Sequence, residues 1–207
     1  MAAILSFFES SLLLIMYSRV IKSLLRFRGI KVGKSFRTRA LPLVIKDHNS
    51  IIEIGDNVFF KDRVDIRALK GAHLKIKSDV KLDKDVRIVA TNGAKVTFSE
   101  RSDIGCYSIF NCGADVIIGK DTLVAGFCYI QTGNHSIARH IPIRTQEMAQ
   151  QPITIGDDCW LGGGSFIVAG AHLGAGVVVG ANSLVNKSVG DFEVVAGSPA
   201  KVIKNRM

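Results

Sequence analysis

Residues 155–190, broken into sixes, read IGDDCW, LGGGSF, IVAGAH, LGAGVV, VGANSL, VNKSVG. The first column is Ile155, Leu161, Ile167, Leu173, Val179 and Val185, all branched aliphatics. The fifth is Cys159, Ser165, Ala171, Val177, Ser183 and Val189, all small. The second is Gly156, Gly162, Val168, Gly174, Gly180 and Asn186, mostly residues that tolerate positive φ. A period of six fits neither a 3.6-residue helix nor a simple alternating strand. It is the period of a hexapeptide β-helix, in which short strands meet at tight corners and aliphatics stack down the inside.

Upstream the same frame is looser. KGAHLKI (70–76), NGAKVTF (92–98) and CGADVII (112–118) align at near-constant spacing, with HNSIIEI (48–54) as a weaker copy. Each leads into hexads, as in Ile54, Phe60, Ile66 or Ile118, Val124, Ile130. Three hexads make one triangular coil, and the Gly-Ala segments add a bulge at one corner. With a first coil near Val32 the chain makes about seven coils, so the prism is roughly 34 Å tall at about 4.8 Å per stacked strand. The frame breaks once, at residues 133–153 (GNHSIARHIPIRTQEMAQQPI), a long inserted loop. Loops of this length within a compact domain are uncommon and often functional. The expected division is an apolar and basic helical segment over 1–31, the β-helix over 32–190, and a cap over 191–207 with a short helix after Pro199.

With 47% hydrophobic and 22% charged residues the chain is a folded one, long enough for a substantial core. The net charge of +9 is concentrated early: Arg19, Lys22, Arg26, Arg28, Lys31, Lys34, Arg37 and Arg39 crowd one stretch. No nucleic-acid motif accompanies them, so no nucleic-acid partner is expected. Residues 2–18 carry only Glu9 as a charge and lack the basic start and cleavage site of a secretory signal. Two readings of residues 1–29 stay open: a helix lying on an anionic membrane surface, or a cap packed on the end of the β-helix. Cys106, Cys112, Cys128 and Cys159 show no zinc spacing, and two of them fill the small fifth column, so buried thiols and a reducing cytoplasm are expected.

The hexads, the lead-in QPITIGDDCWLGG and the tail VVAGSPAKVIKNR together resemble the left-handed parallel β-helix acyltransferases. The likeness is to the galactoside/maltose O-acetyltransferases and the bacterial polysaccharide O-acetyltransferases. It covers about the last two-fifths of the chain and carries the handedness, which periodicity does not supply. It implies a homotrimer using acetyl-CoA as co-substrate, with a site in each groove between subunits.

His135 stands where the loop leaves the coil, beside an inward Asn134 and pointing outward itself. In the resembling enzymes a histidine here is the general base, and imidazole suits that task because it titrates near neutral pH. A group such as Glu147 would orient it. Asn111 matches a position that contacts the acceptor; a corner asparagine at positive φ is the other reading. Gly163, Ala181, Asn186, Lys187 and Lys204 match the acetyl-CoA side. There Gly163 would offer its N–H to the thioester oxygen, and the lysines would meet phosphates. Trp160 would wall the pantetheine channel or pack under the loop. His135 and His140 form H-x-x-x-x-H, as in the γ-type carbonic anhydrases, but no third histidine lies between His73 and His135, so no metal is expected.

The expected function is acetyl transfer to a sugar hydroxyl of a surface polysaccharide, such as a lipopolysaccharide O-antigen, or of its lipid-linked precursor. It would act in the cytoplasm or on the inner face of the membrane. The alternatives are a free sugar, amino sugar or antibiotic as acceptor, and a non-catalytic β-helix scaffold.

Overall fold

The computed structural model describes residues 12–207. Three parallel sheets form the walls of a left-handed triangular prism of about seven coils. Sheet I runs from Lys31–Val32 to His172–Leu173 and sheet III from Leu43–Lys46 to Leu184–Val185. Sheet II runs from Arg37–Thr38 to Val178–Val179 and is extended by Glu193–Ala196 and Lys201–Asn205.

The hexad columns are the registers of these walls. In sheet I, Val32, Ile54, Ile76, Phe98, Ile118, Ile155 and Leu173 pair one on the next. In sheet III the column is Val44, Ile66, Ile88, Phe110, Ile130, Ile167 and Val185. Every one of these residues is buried. Burying one such side chain is worth about 1.5–3 kcal/mol before chain entropy is charged. An exposed ion pair such as Arg101 to Asp121 at 2.6 Å is screened by solvent and contributes far less. The columns therefore hold the prism, and the surface ladders of charge decorate it. All four cysteines are free, and Cys112, Cys128 and Cys159 are buried in the core. Burial pushes the Cys112 and Cys128 thiols up, and that of Cys159 to about 11.

The corner residues differ from expectation. Left-handed backbone falls in the fourth column, at Asp158, Gly164, Gly170, Gly176 and Asn182, and not in the second. The chain finishes its strand before it turns, so the strained residue comes two positions later. The second-column glycines serve a different need, close stacking between coils. A Cβ on Gly162 would lie 2.5 Å from the Ala181 nitrogen and 2.8 Å from the Val179 oxygen, both backbone atoms of the next coil. Backbone cannot swing aside as a side chain can. Gly162→Ala is therefore expected to cost about 1–3 kcal/mol, with the melting temperature falling by about 2–4 °C for each kcal/mol in a chain of this size. An unchanged thermal melt would contradict the stacking argument.

Helix α1, Leu12–Phe27, crosses the open end of the first coil. Its inner face is Ser18, Ile21 and Leu25, all buried. The Ser18 hydroxyl accepts the Thr38 N–H at 2.9 Å, and the Arg26 Nε donates to the Val32 carbonyl at 3.1 Å. The capping role is thus present in the fold. Among the described residues no helix is long and apolar enough to cross a membrane.

At the other end the expected helix after Pro199 is absent. Residues 201–205 instead form a strand that turns back on Glu193–Ala196. Val194 and Val195 continue sheet II from Val178 and Val179, and the returning strand, with β-branched Val202 and Ile203, covers that edge.

Candidate active site

The inserted loop leaves the prism at the corner between sheets III and I, between strands Tyr129–Gln131 and Ile153–Ile155. Its two ends form a hairpin, Gly133–His135 against Met148–Gln150, with His135 opposite Met148. Thr132 anchors it. The Thr132 hydroxyl is buried, accepts the N–H groups of Gly113 and Ala114 at 2.8 and 3.1 Å, and donates to the Gln150 amide oxygen at 2.9 Å. The hexad frame therefore ends at Thr132, and Asn134 is exposed, not inward as expected. His135 is exposed on the hairpin, pointing away from the core.

Beyond the hairpin the loop is held by Gln146. Its side chain accepts the Ala138 N–H at 2.7 Å and donates to the Ala138 and Ile141 carbonyls at 3.0 and 2.6 Å. Glu147 contributes its backbone carbonyl, which accepts the Ser136 N–H at 3.0 Å. No hydrogen bond or ion pair joins its carboxylate to His135.

Beside the hairpin lies a cavity of about 320 Å³ whose wall includes Asn111, Gln131, Gly133, Met148, Gln150 and Lys70. Asn111 and Gln131 are register partners on the outer face of sheet III. A hydrogen-bonded chain fixes them: the Asn111 amide donates to the Tyr129 hydroxyl at 2.7 Å, that hydroxyl to Gln131 at 2.8 Å, and Gln131 to the Gly133 carbonyl at 2.7 Å. Asn111 lies within the strand Ile109–Cys112 and has no positive φ, so the reading of it as a corner residue fails. The cavity presents the amides of Asn92, Asn111, Gln131 and Gln150, the Thr91 hydroxyl and the Lys70 cation on a wall otherwise apolar, with Val89 and Met148, and can accept a ligand such as a sugar that has both hydroxyls and an apolar face.

The other matched residues lie elsewhere on the prism. Gly163 and Ala181 occupy the corner between sheets II and III, across the width of sheet III from the corner where the loop leaves, about four extended residues or roughly 13 Å. The Gly163 N–H makes no hydrogen bond among the described residues, and a Cβ there would meet only the Gly126 oxygen at 3.5 Å, which leaves room for a serine. Exposed Tyr107 and Phe127 stack at 5.1 Å along the same corner, and exposed Phe166 follows it. Asn186 and Lys187 are exposed on the corner that carries the loop, two coils nearer the carboxyl end, and Lys204 is exposed on the last strand. Trp160 is exposed on the outer face of sheet II, the wall opposite the loop's corner, so it does not pack under the loop. It lines a second cavity, of about 310 Å³, with Lys61, Lys81 and Leu123. Within one chain Asn111 lines the cavity that the hairpin strands border, His135 ends the first of those strands, and Gly163 lies at a different corner of the prism.

Among the described residues no cluster of three or more His, Cys, Asp or Glu could hold a metal ion. Tyr129, Gln131, Thr132 and Gln150 do not stand out in the sequence. For Tyr129, Gln131 and Thr132 the signal is a spacing of 18–21 residues from Asn111, about one coil, whereas Gln150 arrives with the returning strand of the loop.

Comparison with known proteins agrees with this architecture. A model of the hexapeptide repeat of succinyl-transferase matches residues 152–187. The chain is 34% identical over 127 residues to a putative lipopolysaccharide biosynthesis O-acetyl transferase, WbbJ, of Escherichia coli K12, covering 58% of this chain and 65% of that protein. It is 33% identical over 128 residues to a putative colanic acid biosynthesis acetyltransferase, WcaF, of the same organism, covering 58% and 67%. The first of these alignments, like a 41% one to a mycobacterial relative, spans less than two thirds of the relative's length. In fold, the chain is similar to the D94A mutant of AntD, an N-acyltransferase from Bacillus cereus in complex with dTDP and coenzyme A. The TM-score is 0.61 at 19% identity, over 90% of this chain and 89% of that one. With its hexad columns, its triangular prism and these relatives, the chain belongs to the hexapeptide-repeat acyltransferase family.

Proposed function

We propose that the protein is an acetyl-CoA-dependent O-acetyltransferase acting on a sugar hydroxyl of a surface polysaccharide or its lipid-linked precursor. The observation that supports this most is His135 exposed on a hairpin beside an amide-lined cavity, at the one long break in the hexad frame. The acetyltransferase names of the relatives, and their assignment to lipopolysaccharide and colanic acid biosynthesis, support the same class.

In this reading Asn111 and Gln131 hold the sugar, and His135 removes the proton of the attacking hydroxyl. The oxygen then adds to the thioester carbonyl. The Gly163 N–H stabilises the negative charge that develops on the carbonyl oxygen, and a donor fixed in advance is worth most in such a place. The imidazolium returns its proton to the departing thiolate, so the histidine ends as it began. Acetyl-CoA supplies the activated acyl group and needs no metal; Lys187, Asn186, Ala181 and Lys204 would hold it, with Trp160 along the pantetheine.

Because Gly163 stands a sheet width from the corner where the loop of His135 leaves, the two act together only across copies. A homotrimer places the loop-bearing corner of one copy against the aromatic corner of the next, a heterologous contact that closes after three. The stacked Tyr107 and Phe127 and the exposed Phe166 are what that contact would cover. Free buried thiols and the use of acetyl-CoA fit the cytoplasm.

The test offers acetyl-CoA labelled in its acetyl group with oligosaccharides, lipid-linked sugars, free sugars and amino-sugar nucleotides, and locates the label by mass spectrometry. Label on a saccharide hydroxyl is expected. Label only on an amino group would make the enzyme an N-acetyltransferase, and none on any saccharide would favour a scaffold.

A further inference from the structure

Helix α1 has two apolar faces and only one is used. Ile21 and Leu25 pack on the first coil, while Leu13, Met16, Val20, Leu24 and Phe27 form a second strip on the outer side. All five are at least half exposed, and Phe27 is 92% exposed. Their spacing of three and four residues puts them on one face. The helix LLLIMYSRVIKSLLRF contains no acidic residue.

Next to this strip is a cavity of about 400 Å³ lined by Ile15, Arg19, Lys22, Phe36, Arg37 and Asn57, with Ser35 at its edge. Three cations face it and no carboxylate lines it. Arg19 and Lys22 have no ion-pair partner among the described residues, and Arg37 lies 5.3 Å from the Phe59 ring. Of the carboxylates close by, Asp56 accepts the Lys34 N–H at 2.6 Å and Asp79 accepts the Asn57 amide at 2.6 Å. The Lys22 ammonium is pulled below its ordinary value by burial and by Arg26, with Asp56 opposing. Among the described residues, Arg19, Lys22 and Arg37 make no ion pair at this cavity.

The geometry points to an anionic lipid bilayer as the occupant. We propose that the amino-terminal end of the prism docks on such a surface, the outer strip entering the interface and the Arg19–Lys22–Arg37 cavity taking a headgroup phosphate. A second copy of the chain would bring the same cations to the contact. A bilayer offers apolar depth and negative charge in one plane. The exposed apolar residues run along one side of the described helix with Arg19 and Lys22 beside them, the arrangement of a helix lying in the plane of an interface. This inference does not depend on the acetyl-transfer reading.

The test is co-sedimentation of the full chain with phosphatidylcholine vesicles, with and without about one third phosphatidylglycerol. The protein is expected to pellet with the anionic vesicles and to be released at 1 M salt, where the screening length is about 3 Å. Each of R19Q, K22Q and R37Q should weaken binding by about 5-fold, the worth of one cation near such a surface. Phe27→Ser touches no packed neighbour, so it should stay folded and also weaken binding. Equal pelleting with neutral and anionic vesicles would overturn the proposal. So would a Phe27→Ser protein that binds like wild type, or one whose oligomer mass falls while vesicle binding is unchanged, which would make the strip a contact between copies.

Discussion

His135→Ala is expected to reduce kcat for acetyl transfer by about 10²–10⁴-fold, the usual worth of a general base. The side chain is exposed and takes no part in holding the loop, which rests on the Ser136–Glu147 backbone bond and the Gln146 side chain. Fold and thermal stability should therefore survive the change. The KM for acetyl-CoA should move little, because the residues assigned to it lie on other corners and coils. His140→Ala should be far milder, since His140 lies five residues further along the exposed loop. A His135→Ala enzyme that turns over at the wild-type rate would remove the mechanism. Equal collapse of both variants, or activity lost to chelation and restored by zinc, would replace it with a metal-based one.

Gly163→Pro is expected to lower kcat by about 10²–10³-fold, because it deletes the N–H assigned to the developing oxyanion. Gly163→Ser should keep most of the activity: the N–H stays, and a Cβ meets nothing closer than the Gly126 oxygen at 3.5 Å. Gly163 has no positive φ, and its N–H is not part of the prism's own hydrogen bonding, so proline should be accommodated. A thermal melt close to wild type would check this. If Pro and Ser behaved alike, the N–H would have no role in the reaction.

The fold was legible because one residue in six decides it. The column from Ile155 to Val185 needs only to be branched, apolar and in register, and each member stacks on the one three hexads later, as Ile155 does on Leu173. Corners were harder. The second column is rich in glycine for stacking against the next coil, as at Gly162, and the left-handed residues sit two places on, at Asp158, Gly164 and Asn182. Their asparagine, aspartate and glycine identities carry that signal in the fourth column. The tail misled through Pro199, which can open a helix, whereas an open sheet edge beside Val195 called for a strand. Half of the candidate site was readable from the loop at His135. The amide wall was not, because Asn111, Tyr129 and Gln131 meet only after one coil is laid on another, and Gln150 only when the loop returns.

The shared site can be tested by mixing two dead enzymes. His135→Ala and Gly163→Pro chains, coexpressed in equal amounts, should assemble at random, and about a quarter of the contacts should join an intact His135 to an intact Gly163 from the neighbouring copy. Acetyl transfer to the saccharide should then return to about that fraction of the wild-type rate, though neither variant is active alone. Mixed trimers confirmed by mass that stayed inactive would show that His135 and Gly163 do not serve one site across two copies.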